Sequence, residues 1–212
     1  MDFKIICTPV GSYQANCYFL YNKNNEAIII DPGAQAKNII DFVKERNFKV
    51  SKILLTHAHP DHFGAMREVR KALDVPAYIS EDDEKLMEER CQTVMESLLD
   101  LGIGMDDVKA DILIKDGDEI EFGDKKIKVI LTPGHTPGGA CFLLDNVIFT
   151  GDTLFRGSIG RTDLPGGDTD KIMESLKILM DLPDDTVVLP GHGSETTIGF
   201  EKQINPFVQQ IL

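Results

Sequence analysis

Thr56-His57-Ala58-His59-Pro60-Asp61-His62 sets four potential metal ligands within six residues, a density that a buried core does not explain. The run follows Lys52–Leu55, a short apolar stretch that reads as a buried strand. His57 and His59 lie two residues apart in extended chain, so they project to the same side and can share one ion. Pro60 turns the chain. Asp61 and His62 then stand at the mouth of a helix expected over Asp61–Leu73, with an acidic first residue suited to a helix N-terminus. From there they face back towards a second ion. Neutral imidazole and carboxylate suit zinc, and also iron or manganese.

The remaining histidines of the chain's 5 occupy two similar settings. His135 lies in Thr132-Pro133-Gly134-His135-Thr136-Pro137-Gly138 and His192 in Leu189-Pro190-Gly191-His192-Gly193, after expected strands at Lys126–Leu131 and Thr186–Leu189. A further strand, Val147–Thr150, ends in Gly151-Asp152. Loops at strand ends on a rigid scaffold are where catalytic side chains concentrate. Singly, a histidine after a strand is more often a hydrogen-bonded structural residue, and an aspartate after glycine a turn residue. The first motif tips the balance for the set.

Around these motifs the chain alternates strands and helices. Strands are expected at Phe3–Thr8, Cys17–Tyr21, Ala27–Ile30, Ala77–Ile79, Glu119–Phe122 and Ala140–Leu144, with a tight hairpin at Asp145-Asn146. Helices are expected around Ile39, Ile40 and Val43, over Glu81–Leu101 (stripe Leu86, Met87, Met95, Leu98, Leu99), over Asp170–Met180 and near the C-terminus. Strands followed by a βα unit thus occur once on each side of residue 110, which suits an α/β fold of two facing sheets with helices outside, one domain over 1–212.

At 42 % hydrophobic and 27 % charged, the 212 residues can bury a core. A net charge of −13 excludes the basic face of a nucleic-acid binder and the polybasic patch of an anionic-lipid binder. Met1-Asp2-Phe3-Lys4 lacks the layout of a secretory signal, and no apolar run approaches the ~20 residues of a membrane span. Cys7, Cys17, Cys91 and Cys141 form no C-x-x-C pair and read as reduced, buried thiols of a soluble cytoplasmic protein. Other catalytic schemes find no footing. Arg156-Gly157-Ser158-Ile159-Gly160 fails the nucleophile-elbow pattern at its first glycine, and Gly102-Ile103-Gly104 lacks the third glycine of a dinucleotide loop.

In this order the motifs resemble the metallo-β-lactamase superfamily over essentially the whole chain. Gly151-Asp152-Thr153-Leu154-Phe155, with Gly160-Arg161 following, is similar to its glyoxalase II-like (hydroxyacylglutathione hydrolase-like) group. The resemblance implies a four-layer αββα sandwich with two similar halves. It implies two divalent ions, zinc first: one on His57, His59 and His135, the other on Asp61, His62 and His192, with Asp152 bridging. It further implies hydrolysis of a small thioester or ester by a hydroxide shared between the ions, whose coordination lowers the pKa of water to ~7. Asp61 and Asp152 would be the catalytic carboxylates. Arg161 is either a glutathione contact or a structural ion-pair residue, and Phe155 either lines the substrate cleft or completes the core. Only residues 193–212 follow His192, so the helical C-terminal domain of glyoxalase II is not expected. Competing readings are a single-iron persulfide dioxygenase on His57, His135 and Asp152, a lactone or ester hydrolase, and a non-catalytic metal-binding scaffold. A β-lactamase is disfavoured by the lack of a cysteine among the ligands, and a superfamily nuclease by the charge. Neither nucleic acid nor membrane is expected as a partner.

Overall fold

A period of two along the strands decides the architecture. In β2 (Ala15–Asn22), Tyr18 and Leu20 face one cluster of buried side chains and Phe19 another; in β3 (Glu26–Ile30), Ile28 and Ile30 oppose Ile29. Strands apolar on both faces must be covered on both. In the computed structural model, which describes residues 2–88 and 109–212, they are. One sheet has the spatial order β1 (Phe3–Val10), β2, β3, β4 (Lys49–Leu54), β5 (Ala77–Ser80), β6 (Ile112–Ile114). It begins as an antiparallel meander and continues in parallel from β3. Parallel neighbours need a crossover. Here α1 (Ala36–Glu45) joins β3 to β4, while α2 (Pro60–Phe63) and α3 (Met66–Leu73) lie between β4 and β5. Residues 81–88 form α4 after β5.

The second sheet repeats the plan. It contains β7 (Glu119–Phe122), β8 (Lys125–Leu131), β9 (Ala140–Leu144) and β10 (Val147–Gly151) as an antiparallel run. After a small hairpin of β11 (Leu154–Phe155) and β12 (Ser158–Ile159), the crossover α5 (Thr169–Met180) leads to β13 (Val187–Pro190), parallel to β10. Then β14 (Thr196–Thr197) and α6 (Ile198–Ile204) follow.

Three apolar layers hold this together. Between the sheets, Leu20, Ile28, Ile30 and Leu54 meet Ile127, Val129, Phe142 and Phe149. Outside the first sheet, Phe19, Ile29 and Ile53 pack on Ile39, Val43, Met66, Val69 and Met87. Outside the second, Cys141, Ile148 and Val188 pack on Leu176, Leu179 and Ile198. This is the αββα sandwich. No helix among the described residues is long and apolar enough to cross a membrane.

Several expectations need correction. The helix expected over Asp61–Leu73 is broken into α2 and α3 around Gly64-Ala65. The β3–α1 loop causes the break: the Ala65 N–H donates to the Pro32 carbonyl at 2.9 Å, and a Cβ on Gly64 would stand 2.6 Å from Gly33 O. Such a contact is tertiary and leaves no local mark. Cys7 is exposed on the edge strand β1, whereas Cys17 and Cys141 are buried as expected; Cys91 lies outside the described residues. So does the part of the Glu81–Leu101 helix beyond residue 88, and Gly102-Ile103-Gly104 with it. The short strands β6, β11, β12 and β14 carry no periodic signal and were not anticipated. The hairpin at Asp145-Asn146 is present, with Leu144 paired to Val147 and Asp145 at φ 52°.

Phe142 and Phe149 are cross-strand partners, both essentially inaccessible between the sheets. Phe142→Ala should therefore lower unfolding free energy by about 3–5 kcal/mol, read as a reduced urea midpoint at unchanged slope.

Candidate metal centre

The strand-end motifs converge. His57 and His59 come from the loop after β4, and His59 is the N-cap of α2, extended at φ −93° and ψ 140°. Pro60 opens the helix, which places Asp61 and His62 in its first turn. His135 follows β8, Asp152 follows β10 and His192 follows β13, so both sheets contribute. His192 is tied to the first sheet by a bridge to Ala15.

The side chains form three overlapping groups with the spacing of metal ligands, His57/His59/His135, Asp61/His62/His192 and Asp31/His57/His62. In the first, His59 Nδ1 lies 2.8 Å from His135 Nε2. In the second, His62 Nε2 lies 3.2 Å from His192 Nε2, and Asp61 Oδ2 lies 3.3 Å from the latter. Asp152 stands between them, with Oδ2 3.5 Å from His135 Nε2 and 3.6 Å from His192 Nε2, and Oδ1 3.4 Å from His62 Nε2. Gly191 leaves the room: a Cβ there would sit 2.2 Å from Asp152 Oδ1 and 2.8 Å from His62 Cε1.

The outer ring nitrogens decide which lone pairs face inward. His62 Nδ1 donates to Asp31 Oδ2 at 2.9 Å, His135 Nδ1 to the Arg161 carbonyl at 2.7 Å and His192 Nδ1 to the Tyr13 carbonyl at 3.2 Å. His57 Nδ1 lies 3.0 Å from the Thr56 hydroxyl. A proton held on Nδ1 leaves Nε2 as a bare lone pair, which is how metal-binding histidines are oriented.

Charge is distributed to match. Burial drives the His57 imidazole well below its usual range, and the four imidazoles around it add to the effect. Burial alone would raise the Asp61 carboxyl, but the His192 hydrogen bond and the nearby His62 overcome it and hold the group at about 2. At His62 burial is likewise overcome, by Asp152, Asp31 and Asp61, and the imidazole rises to about 9. The His192 imidazole is also raised, chiefly by its hydrogen bond to Asp61. Carboxylates that favour a proton at this place favour a cation there.

The residues fit divalent metal. His57 Nε2 and Asp152 Oδ1 are buried without a hydrogen-bond partner among the described residues. Buried polar atoms that make no hydrogen bond are costly unless a cation fills the gap.

Residues 10–192 match the model of the metallo-β-lactamase superfamily. The chain belongs to that superfamily. Hydroxyacylglutathione hydrolase GloC of Haemophilus influenzae is 34 % identical to it over 215 residues, covering 98 % of this chain and 98 % of the relative. A Bacillus subtilis protein named "Probable metallo-hydrolase YqgX" is 38 % identical over 203 residues, covering 94 % of this chain and 95 % of that one. Among solved structures, the BLEG-1 B3 metallo-β-lactamase superposes with a TM-score of 0.86 at 37 % identity, covering 97 % of this chain and 99 % of that one. TTHA1623 in a di-iron-bound form superposes at 0.82 and 35 % identity, covering 95 % and 99 %.

Of the weaker sequence readings, the Arg161 guanidinium is held by Asp163 in a two-pronged ion pair of 2.7 and 2.8 Å, with both side chains well exposed. Its carbonyl, not its charge, touches the centre. Phe155 is half-buried with its ring 6.2 Å from that of His192.

Sequence reasoning missed Asp31. It lies just beyond β3, fully buried at φ 53°, and its carboxylate accepts from Thr56 N–H at 2.8 Å, from the Thr56 hydroxyl at 2.6 Å and from His62. Because those donors occupy its oxygens, Asp31 is an orienting partner of His62 rather than a ligand. Asp31-Pro32-Gly33 is one more strand-end loop carrying an acid, a signal that was available. Asp31→Asn keeps a residue tolerant of positive φ but turns an amide N–H₂ towards a donor. It should weaken metal binding roughly 10–100-fold, measured by competition with a chromophoric chelator.

Proposed function

We propose that this chain is a dinuclear metal-dependent hydrolase of a small thioester of the hydroxyacylglutathione class. The observation carrying this reading is Asp152, poised between two complete ligand groups. His57, His59 and His135 would hold one ion, Asp61, His62 and His192 the other, and Asp152 both. Bound there, divalent ions supply a water acidified towards neutrality as nucleophile and a Lewis acid for the carbonyl oxygen.

The chain's own groups set the rest. Asp152 fixes the separation of the ligand groups. Asp61, partly exposed, would accept a hydrogen bond that orients the nucleophile. Tyr13, on the exposed β1–β2 turn whose carbonyl holds His192, and Phe155 flank the second group from different elements. All 5 histidines are committed to the ligand groups, so no imidazole is left to protonate a leaving group. A thiolate leaves without such help, whereas an amine needs a proton. This favours thioester over amide. Similarity to GloC agrees. Glutathione itself would have to be gripped without the Arg161 side chain, unless Asp163 yields it.

A second reading, opening of a β-lactam ring, is favoured by the similarity to BLEG-1. It would run through the same groups, with the ring nitrogen drawing its proton from solvent water.

Purified chain with its metals measured by elemental analysis should carry about two ions, zinc or iron, and hydrolyse S-lactoylglutathione. Chelation should abolish turnover and metal should restore it. Hydrolysis of a chromogenic cephalosporin with no thioester turnover would replace the first reading by the second. Asp152→Ala should lower both turnover and the number of ions bound, as expected for losing a metal-bridging group; full activity with both metals kept would remove Asp152 from the bridging role.

A further inference from the structure

Outside the ligand groups, one fully buried carboxylate has its oxygens aimed at the backbone of both sheets' ligand loops. Asp83, in the first turn of α4, accepts the Ala58 N–H on Oδ2 at 2.7 Å and the Gly138 N–H on Oδ1 at 2.6 Å. Ala58 lies between His57 and His59, and Gly138 lies in the loop that carries His135. One side chain therefore spans loops that follow β4 of the first sheet and β8 of the second. Ser80 closes the latch from its own end: its hydroxyl donates to the Gly138 carbonyl and accepts the Asp83 N–H at 3.4 Å. Gly138 is shaped for this contact, because a Cβ there would stand 2.1 Å from Ser80 Oγ and 2.6 Å from Asp83 N.

We propose that Asp83 is a positioning residue that sets the spacing of His57, His59 and His135, an inference that rests on the dinuclear reading above. Charged acceptors make the stronger backbone hydrogen bonds, and a ligand set keeps its geometry only where neighbouring groups lock it. The second group does not share this latch. It is held by Asp31 at His62 and, around His192, by the buried Asn16, whose amide donates to the Pro190 and Gly193 carbonyls at 2.9 and 3.0 Å. Asp83 thus acts on one group of ligands selectively.

Asparagine at this position keeps one acceptor and turns its N–H₂ against the other backbone N–H. The test is a Co²⁺ titration of metal-free chain followed by visible absorption, which reports coordination directly. The two binding constants are assigned by repeating it on His59→Ala and His192→Ala. Asp83→Asn should lower the constant that His59→Ala removes by roughly 10–100-fold and alter its absorption bands, with the other constant unchanged. Ser80→Ala, which removes only the hydroxyl tether, should shift the same constant in the same direction by less, and it carries the test should Asp83→Asn fail to fold by circular dichroism. Two unchanged constants, or an equal fall in both, overturn the proposal. In that case the unmodified chain still binds two ions and the dinuclear reading stands; an unmodified chain that binds no Co²⁺ overturns both.

Discussion

The apolar seam between the two sheets governs the distances at the centre. The ligand groups draw on loops after β4 in one sheet and after β8, β10 and β13 in the other, so no sheet alone can set their spacing. Leu20, Ile28, Ile30 and Leu54 against Val129, Phe142 and Phe149 fix how the sheets face each other. Close packing of this kind resists small displacements. Hydrogen bonds at the same edge then pin the register: Ala140 N–H donates to the Thr56 carbonyl at 2.8 Å, and the Tyr18 hydroxyl to the Pro190 carbonyl at 2.6 Å. Burial supplies adhesion; these bonds supply direction.

Close approach is the second requirement. The centre gathers histidines and carboxylates within a space that side chains would otherwise fill, and glycines make the room. Gly33 lies against the backbone of α2, where a Cβ would fall 1.5 Å from the Asp61 carbonyl. Gly151, at φ 48°, takes the sharp bend that turns Asp152 out of β10. With the backbone this near, imidazoles can be oriented by carbonyls of Tyr13 and Arg161 as readily as by the Asp31 carboxylate. Backbone acceptors do not depend on which residue stands at their position. That explains how Arg161 can face solvent and pair with Asp163 while still orienting His135.

Membership of the superfamily defines the ligand chemistry more tightly than the substrate. GloC and BLEG-1, whose names speak of a hydroxyacylglutathione hydrolase and a metallo-β-lactamase, are similarly close to this chain. Discrimination between such substrates must come from the walls and from proton supply. Here the histidines are all occupied, and Phe155 and the Tyr13 turn are the flanking features.

How much of this could be read from the chain follows from what is local. The H-x-H-x-D-H cluster, His135, Asp152 and His192 were legible because each sits in a short motif directly after an apolar run, and the main strands were legible because period-two alternation is a property of neighbours. The sequence by itself determined the donor set, the strand-end placement and the alternation that demands two covered sheets. Only the tertiary structure decided the break at Gly64, the engagement of Arg161 with Asp163, and the parts played by Asp31 and Asp83. Each of these depends on a residue far along the chain arriving within hydrogen-bond distance, and such encounters are set by packing rather than by any local pattern.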